Sequence, residues 1–206
     1  MLGGILGHSG HAYRTRNKGE AAVVAEAERA VMTAFAERLR GEGIPVREVS
    51  VGSTPAMAAA RNLAGVTEAR PGNYIFYDRT MVLIGACAPA DVGVTVLATV
   101  VSHQPGSTQV IVDAGALELS KDLGPAHLGL PVSYGEVRGH PGWLVTSVSQ
   151  EHGIIRVPTP LDGQLPVGTQ LEIVLNHSCL TVAHFDEYHV MQQGREIDRW
   201  KIERGR

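Results

Sequence analysis

The chain has 206 residues, 44% of them hydrophobic and 19% charged, with a formal net charge of −3 and a mean hydropathy of zero. That is room for one large domain or two small ones. The charge offers no basic surface for nucleic acid, and no apolar run reaches the roughly 18 residues a membrane helix needs.

Met1 to Gly7 is too short and lacks the positive flank of a signal peptide. The two cysteines, Cys87 and Cys179, lie too far apart to suggest a disulfide framework. Both features point to a cytoplasmic protein. Ile5-Leu6-Gly7 reads as a short strand leading into the polar loop His8-Ser9-Gly10-His11. From Glu20 to Arg40, apolar residues at Val24, Ala27, Val31, Met32, Phe35 and Leu39 recur at helical spacing, and Gly41 and Gly43 close the helix. Val46 to Val51 is the next expected strand, followed by Gly52-Ser53-Thr54-Pro55 and an alanine-rich helix from about Ala56 to Ala64. Asn73 to Tyr77 is a third strand candidate. Alternating strands and helices imply parallel strands with crossover connections, and three strands are too few to close a barrel.

From about Gly93 the period changes to two. Val94 to Ser102, Gln109 to Val112, Trp143 to Ser149, Ile154 to Val157 and Leu171 to Leu175 read as short strands between Gly/Pro turns. They suggest an antiparallel barrel or sandwich, with the tail around Trp200 as a last edge strand. The expected architecture is α/β plus β, with residues 1–86 as an incomplete parallel α/β half and 87–206 as an antiparallel β domain.

Ligands of parallel α/β units sit where loops leave the carboxyl ends of strands. Three such loops carry suitable chemistry: His8 to Tyr13, Gly52 to Pro55, and Arg70 to Tyr74 with Tyr77 and Asp78 behind it. Glycines let backbone N–H groups approach an anion, and hydroxyls add neutral donors. The plainer alternatives are ordinary turns, a helix cap at Thr54 and buried aromatics at Tyr74 and Tyr77. Further on, His177-Ser178-Cys179 in an extended segment would turn imidazole and thiol to one face, a nitrogen and sulfur pair suited to zinc. The alternative there is a buried cysteine beside a polar histidine. His184 and His189 are taken as structural. His152 is either a neighbour of the metal pair or a turn residue.

Several strings, in order, resemble the D-serine dehydratase/D-threonine aldolase family. They are His8-Ser9-Gly10-His11-Ala12-Tyr13, Val51-Gly52-Ser53-Thr54-Pro55 and Thr67 to Asp78, then Val112-Asp113-Ala114-Gly115 with Lys121-Asp122. Ser149 to Gly153 and Asn176-His177-Ser178-Cys179 complete the series. Arg70-Pro71-Gly72 is also similar to a segment of alanine racemases, which share the fold. The resemblance implies the C-terminal part of a (β/α)8 barrel followed by a β domain, in homodimers. It implies pyridoxal 5'-phosphate, with phosphate contacts at Ser53, Thr54, Gly72, Asn73 and Tyr77, Tyr13 near the cofactor and Arg70 facing the pyridine nitrogen. It places a divalent metal, zinc or manganese, on His177 and Cys179, and a D-β-hydroxy amino acid as substrate.

One departure is marked. The family's Schiff-base lysine lies early in the full-length chain, and the lysines here are Lys18, Lys121 and Lys201, none at that position. Covalent catalysis requires a lysine amine at the cofactor aldehyde. The sequence therefore implies a lyase represented by a fragment. The alternatives are an inactive truncated product that binds metal or phosphate, and a racemase.

Overall fold

A computed structural model describes residues 2–163 and 165–204. The chain forms two compact units: residues 1–93 with 125–130, and 94–124 with 131–206.

The first unit is built on a three-stranded parallel sheet. Strand β1 (Gly4–Leu6) leads into a 3-10 turn at Gly10–Arg14, then helix α1 (Lys18–Gly41), strand β2 (Glu48–Val51), helix α2 (Thr54–Ala59), strand β3 (Glu68–Ala69) and helix α3 (Arg79–Leu83). The sheet order is β1-β2-β3, with Ile5 opposite Val49 and Val51 opposite Ala69. Helix α1 starts where Asn17 Oδ1 accepts from the Glu20 N–H at 2.9 Å. It ends ahead of Gly43, whose φ is +81°.

The buried face of α1 differs from the apolar stripe read in the sequence. Ala21, Ala25, Glu28 and Ala36 are buried, while Val31 is 67% and Phe35 48% exposed. The small residues let α1 pack closely, Ala25 against Ala12 and Ala56, and Val24, Met32 and Leu39 of the expected stripe pack beside them, whereas Val31 and Phe35 lie on a second, exposed apolar face. Helix α2 also starts two residues earlier than expected and stops at Ala59.

The third strand is not Asn73 to Tyr77. Strand β3 pairs at Glu68 and Ala69, and Asn73–Ile75 is a 3-10 turn. Pro71 has no N–H to continue a ladder, and the Asn73 carbonyl accepts instead from the N–H groups of Phe76 and Tyr77. Asp78 then caps α3, accepting from the Met81 N–H at 3.0 Å.

The second unit is a closed antiparallel barrel. Its elements are β4 (Val96–His103), β5 (Ser107–Val112), α4 (Ala116–Leu119), β6 (Gly135–Val137), β7 (Leu144–Val148), β8 (Gly153–Leu161), β9 (Gln170–Leu175) and α5 (Ser178–Val182). The order β4-β5-β8-β7-β6-β9 closes where β9 pairs β4. Alternate residues point inward, so Val100, Val110, Val112, Val145, Ile155, Ile173 and Leu175 fill the barrel with almost no exposed surface. Strand β6 was not read in the sequence. An added Cβ at Gly135 would lie 2.8 Å from Ile173, so this strand approaches β9 too closely for a side chain.

The tail does not join the barrel as an edge strand. Among the described residues, strands β10 (Glu187–Gln192) and β11 (Arg195–Lys201) pair only with each other, Tyr188 opposite Trp200. Gln193 and Gly194, both with positive φ, make the turn that suits a tight hairpin.

Candidate functional site

Because β1, β2 and β3 are parallel, the loops following them leave the same end of the sheet. Hydrogen bonds tie these loops together. His8 Nδ1 is 2.8 Å from the Gly52 carbonyl. Ser53 Oγ donates to the Ser9 carbonyl at 3.4 Å, and the Asn73 N–H donates to Thr54 Oγ1 at 2.9 Å. Asn73 Nδ2 donates to Asp78 Oδ2 at 2.6 Å. Ser53, Thr54, Asn73 and Asp78 are buried. Neither hydroxyl serves as an ordinary cap at the start of α2, since Ser53 sits at the cap position without making a capping bond.

Gly72 directly precedes Asn73 and is exposed, with open space where a Cβ would lie. Tyr77 follows at a φ of +52°, its N–H bonded to the Asn73 carbonyl at 2.8 Å. Tyr13 is half-buried in the turn whose Ala12 packs on α1 and α2. Arg70 is occupied by the sheet itself. Its Nε donates to Ser50 Oγ at 2.7 Å and lies 3.7 Å from Glu68, and Nη2 donates to the Gly7 carbonyl. The guanidinium thus spans the strand ends.

Glu28 was missed in the sequence. This buried carboxylate accepts through Oε1 from the Ser9 N–H at 3.1 Å and the Gly52 N–H at 3.3 Å, and so joins the first two loops from behind. Its signal was a carboxylate in register with the small residues Ala21, Ala25 and Ala36 on one helix face.

The arrangement fits the phosphate of a cofactor. A hydroxyl that accepts keeps its own proton to donate, so Thr54 retains a donor beyond the Asn73 contact. The backbone at Gly72 is open to approach.

The second cluster lies in the barrel unit. His177 and Cys179 come together, though not through an extended backbone. His177 is the extended residue preceding α5, and Cys179 is in its first turn. The imidazole hydrogen-bonds both the Asp122 carboxylate, Nδ1 to Oδ2 at 3.0 Å, and the Cys179 thiol. These contacts, with Asp122 foremost, raise the His177 imidazole to about 10, and the same bond holds the Asp122 carboxyl below its usual range. Burial, with the Cys179 charge second, raises the Tyr188 phenol. Among the described residues, no set of three His, Cys, Asp or Glu side chains is grouped to hold a metal. The pair fits an ion with two protein donors and open positions, because one nitrogen and one sulfur converge and Cys179 is exposed.

His152 stands apart, exposed in a turn closed by Ser149. His184 is exposed, and His189 pairs with Glu196 at 2.9 Å. Lys18 opens α1, Lys201 closes β11 and Lys121 precedes Asp122, each exposed. None belongs to the loops after the parallel strands.

Residues 93–191 match the family model described as "Putative serine dehydratase domain". The D-threo-3-hydroxyaspartate dehydratase of Delftia sp. (strain HT23) is 40% identical, the match covering 97% of this chain and 55% of that protein. Its solved structure superposes with a TM-score of 0.92, covering 99% of this chain and 56% of that one. A D-serine dehydratase from Dictyostelium discoideum is 38% identical over 94% of this chain and 52% of its own length. An alanine-racemase-like protein of known structure from Idiomarina loihiensis is 31% identical, with a TM-score of 0.87 over 97% of this chain and 55% of that one. The chain spans about half the length of the curated relatives it matches. No helix among the described residues is long and apolar enough to cross a membrane. On these matches, the chain belongs to the D-serine dehydratase/D-threonine aldolase family, whose members share the alanine-racemase-like fold.

Proposed function

We propose that this chain carries the phosphate cup and metal site of a pyridoxal-phosphate- and metal-dependent lyase acting on D-β-hydroxy amino acids, of the D-serine dehydratase or D-threonine aldolase type. The observation that carries this reading is the convergence of His177 and Cys179 with Asp122 braced behind the imidazole. A D-threo-3-hydroxyaspartate dehydratase has been solved as a cysteine-to-alanine mutant in the metal-free form, which supports a metal at a cysteine.

His177 Nε2 and the Cys179 thiolate would hold the ion, zinc in preference to manganese because one donor is a soft sulfur. Ser53, Thr54, the backbone of Gly72 and the Tyr77 hydroxyl would hold the phosphate, with Asn73 assigned to the same cup and its N–H engaged by Thr54. Tyr13 is assigned to the flank of the cofactor and Arg70 to the pyridine nitrogen, through Nη1, since Nε and Nη2 are engaged by Ser50 and Gly7. When bound, the metal supplies Lewis-acid polarisation of the substrate's β-hydroxyl and the cofactor supplies an electron sink for its α-carbon. The residues of this chain orient those two groups. Asp122 keeps the proton on His177 Nδ1, so that Nε2 is the ring nitrogen that would face the ion.

The first unit is read as the C-terminal part of a (β/α)8 barrel, and the second as the β domain, in a cytoplasmic homodimer. Support comes from β1 and β3, each paired on one side only among the described residues. The exposed face of α1 at Val31 and Phe35 adds to it. The remaining strands would carry the Schiff-base lysine. The positions of Lys18, Lys121 and Lys201 favour a chain that turns nothing over alone.

The test is release of pyruvate from D-serine and of aldehyde from D-threonine, with pyridoxal phosphate and zinc. The 206-residue chain alone is expected to be silent. A longer form, or a second chain, carrying the lysine is expected to give turnover abolished by a chelator. Turnover by the short chain alone, or chelator-resistant turnover by the long one, would contradict the reading.

A further inference from the structure

Asp122 is held at every polar atom. Its N–H donates to Ser120 Oγ at 3.2 Å, and its carbonyl accepts from Asn176 Nδ2 at 2.9 Å. Carboxylate Oδ1 accepts from the Gly124 N–H at 2.7 Å, leaving Oδ2 for His177 Nδ1 at 3.0 Å. Asn176, fully buried and adjacent to His177, also donates to the Ser133 carbonyl at 2.5 Å. Two backbone features make this possible. Ser120 has a φ of +66°, a conformation an L residue adopts only where its surroundings enforce it. Gly124 has a φ of +71°, and an added Cβ would lie 3.2 Å from the Asn176 side chain. The loop between α4 and the β6 segment is thus built to deliver one carboxylate oxygen to one imidazole nitrogen.

A carboxylate only accepts, so Nδ1 must carry the proton of this contact. In the neutral ring the lone pair then resides on Nε2. We propose that Asp122 is the positioning residue of the metal site: it fixes the His177 ring and its tautomer so that Nε2 is the donor offered to the ion alongside the Cys179 sulfur. This rests on the metal reading above and assigns a role to a residue outside the ligand pair. Orienting carboxylates behind ligating histidines are worth about 10–100-fold in metal affinity. A site with only two protein donors depends more on such support than one with four.

The experiment is zinc titration of the full 206-residue chain against a chromophoric chelator, comparing wild type with Asp122→Ala, Asp122→Asn and Cys179→Ala. Thermal unfolding of each metal-free variant and the absorption of its cobalt(II) form are recorded alongside. Wild type is expected to bind one zinc and Cys179→Ala to lose it. Asp122→Ala should bind about 10–100-fold more weakly, while at saturation its cobalt form keeps the thiolate charge-transfer band. Asp122→Asn retains an acceptor oxygen without the charge and should fall between the two. It also keeps the test decisive should Asp122→Ala not fold. Zinc affinity unchanged in a folded Asp122 variant, with Cys179→Ala still abolishing binding, would overturn the positioning role and leave the metal reading intact. A wild-type chain that binds no zinc would overturn both.

Discussion

The Asn73 N–H donates to Thr54 Oγ1 at 2.9 Å, joining the loop after β3 to the first residue of α2 across a buried gap. Thr54→Val keeps the shape and removes the acceptor. It should leave the Asn73 N–H unsatisfied and cost about 1–3 kcal/mol, read as a lower midpoint in urea unfolding. Thr54→Ser keeps the oxygen and should recover most of that loss. Equal midpoints for the two variants would mean the hydrogen bond contributes nothing.

In the barrel, Ile155 has no exposed surface. Ile155→Val should cost about 0.5–1.5 kcal/mol and Ile155→Ala about 2–5 kcal/mol. Trp143 packs against this core while Trp200 is 55% exposed. Fluorescence in a Trp200→Phe background therefore reports the barrel alone.

Gly153 opens β8 where an added Cβ would lie 2.5 Å from the Ala114 carbonyl oxygen. Backbone cannot swing aside as a flexible side chain can, so Gly153→Ala should destabilise by about 1–3 kcal/mol or more. Gly139 has a φ of +77° with nothing near the Cβ position, and Gly139→Ala should lose only the cost of the left-handed backbone, about 1–2 kcal/mol. Thermal midpoints of the two variants should differ in that order.

Burial, reinforced by Asp91 and Asp78, pushes the Cys87 thiol up from 9.0 to about 11. Because the pKa is raised, the thiolate is scarce below that value, about 100-fold scarcer at pH 8 than for an ordinary thiol. Higher basicity restores roughly tenfold in nucleophilicity. In a Cys179→Ala background, disulfide exchange at Cys87 should run about tenfold slower than at a free cysteine. Its rate should climb tenfold per pH unit until near pH 11. A rate that levels off near pH 9 would refute the shift.

Much of the fold was legible from periodicity. The strand-helix-strand opening and the barrel strands around Val100, Val110, Val145, Ile155 and Ile173 follow from alternating burial. Asn73 to Tyr77 misled because apolar, aromatic composition favours a strand, while Pro71 and the Asn73 and Asp78 side chains settle the backbone otherwise. On α1, Val31 and Phe35 looked more core-like than Ala21 and Ala25, since hydrophobicity reports the wish to be buried and not the nearness of a neighbour. Strand β6 escaped because its inward signal at Gly135 is the absence of a side chain. At the candidate site, the loop residues and the His177/Cys179 pair could be read from type and order. The bracing role of Asp122 could not, because it depends on contacts between segments far apart in sequence, and Glu28 showed only as a carboxylate on the small-residue face of α1.

The pairing of β9 with β4 joins the first barrel strand to the last, Val96 opposite Ile173. During synthesis, β4 must wait for almost the whole unit before its partner emerges, and contacts this remote in sequence close slowly. A nascent or prematurely ended chain lacking β9 would present bare hydrogen-bonding edges on β4 and β6, the kind of surface that recruits other chains. Quality control for this protein therefore turns on a ring that is protective once complete and adhesive until then.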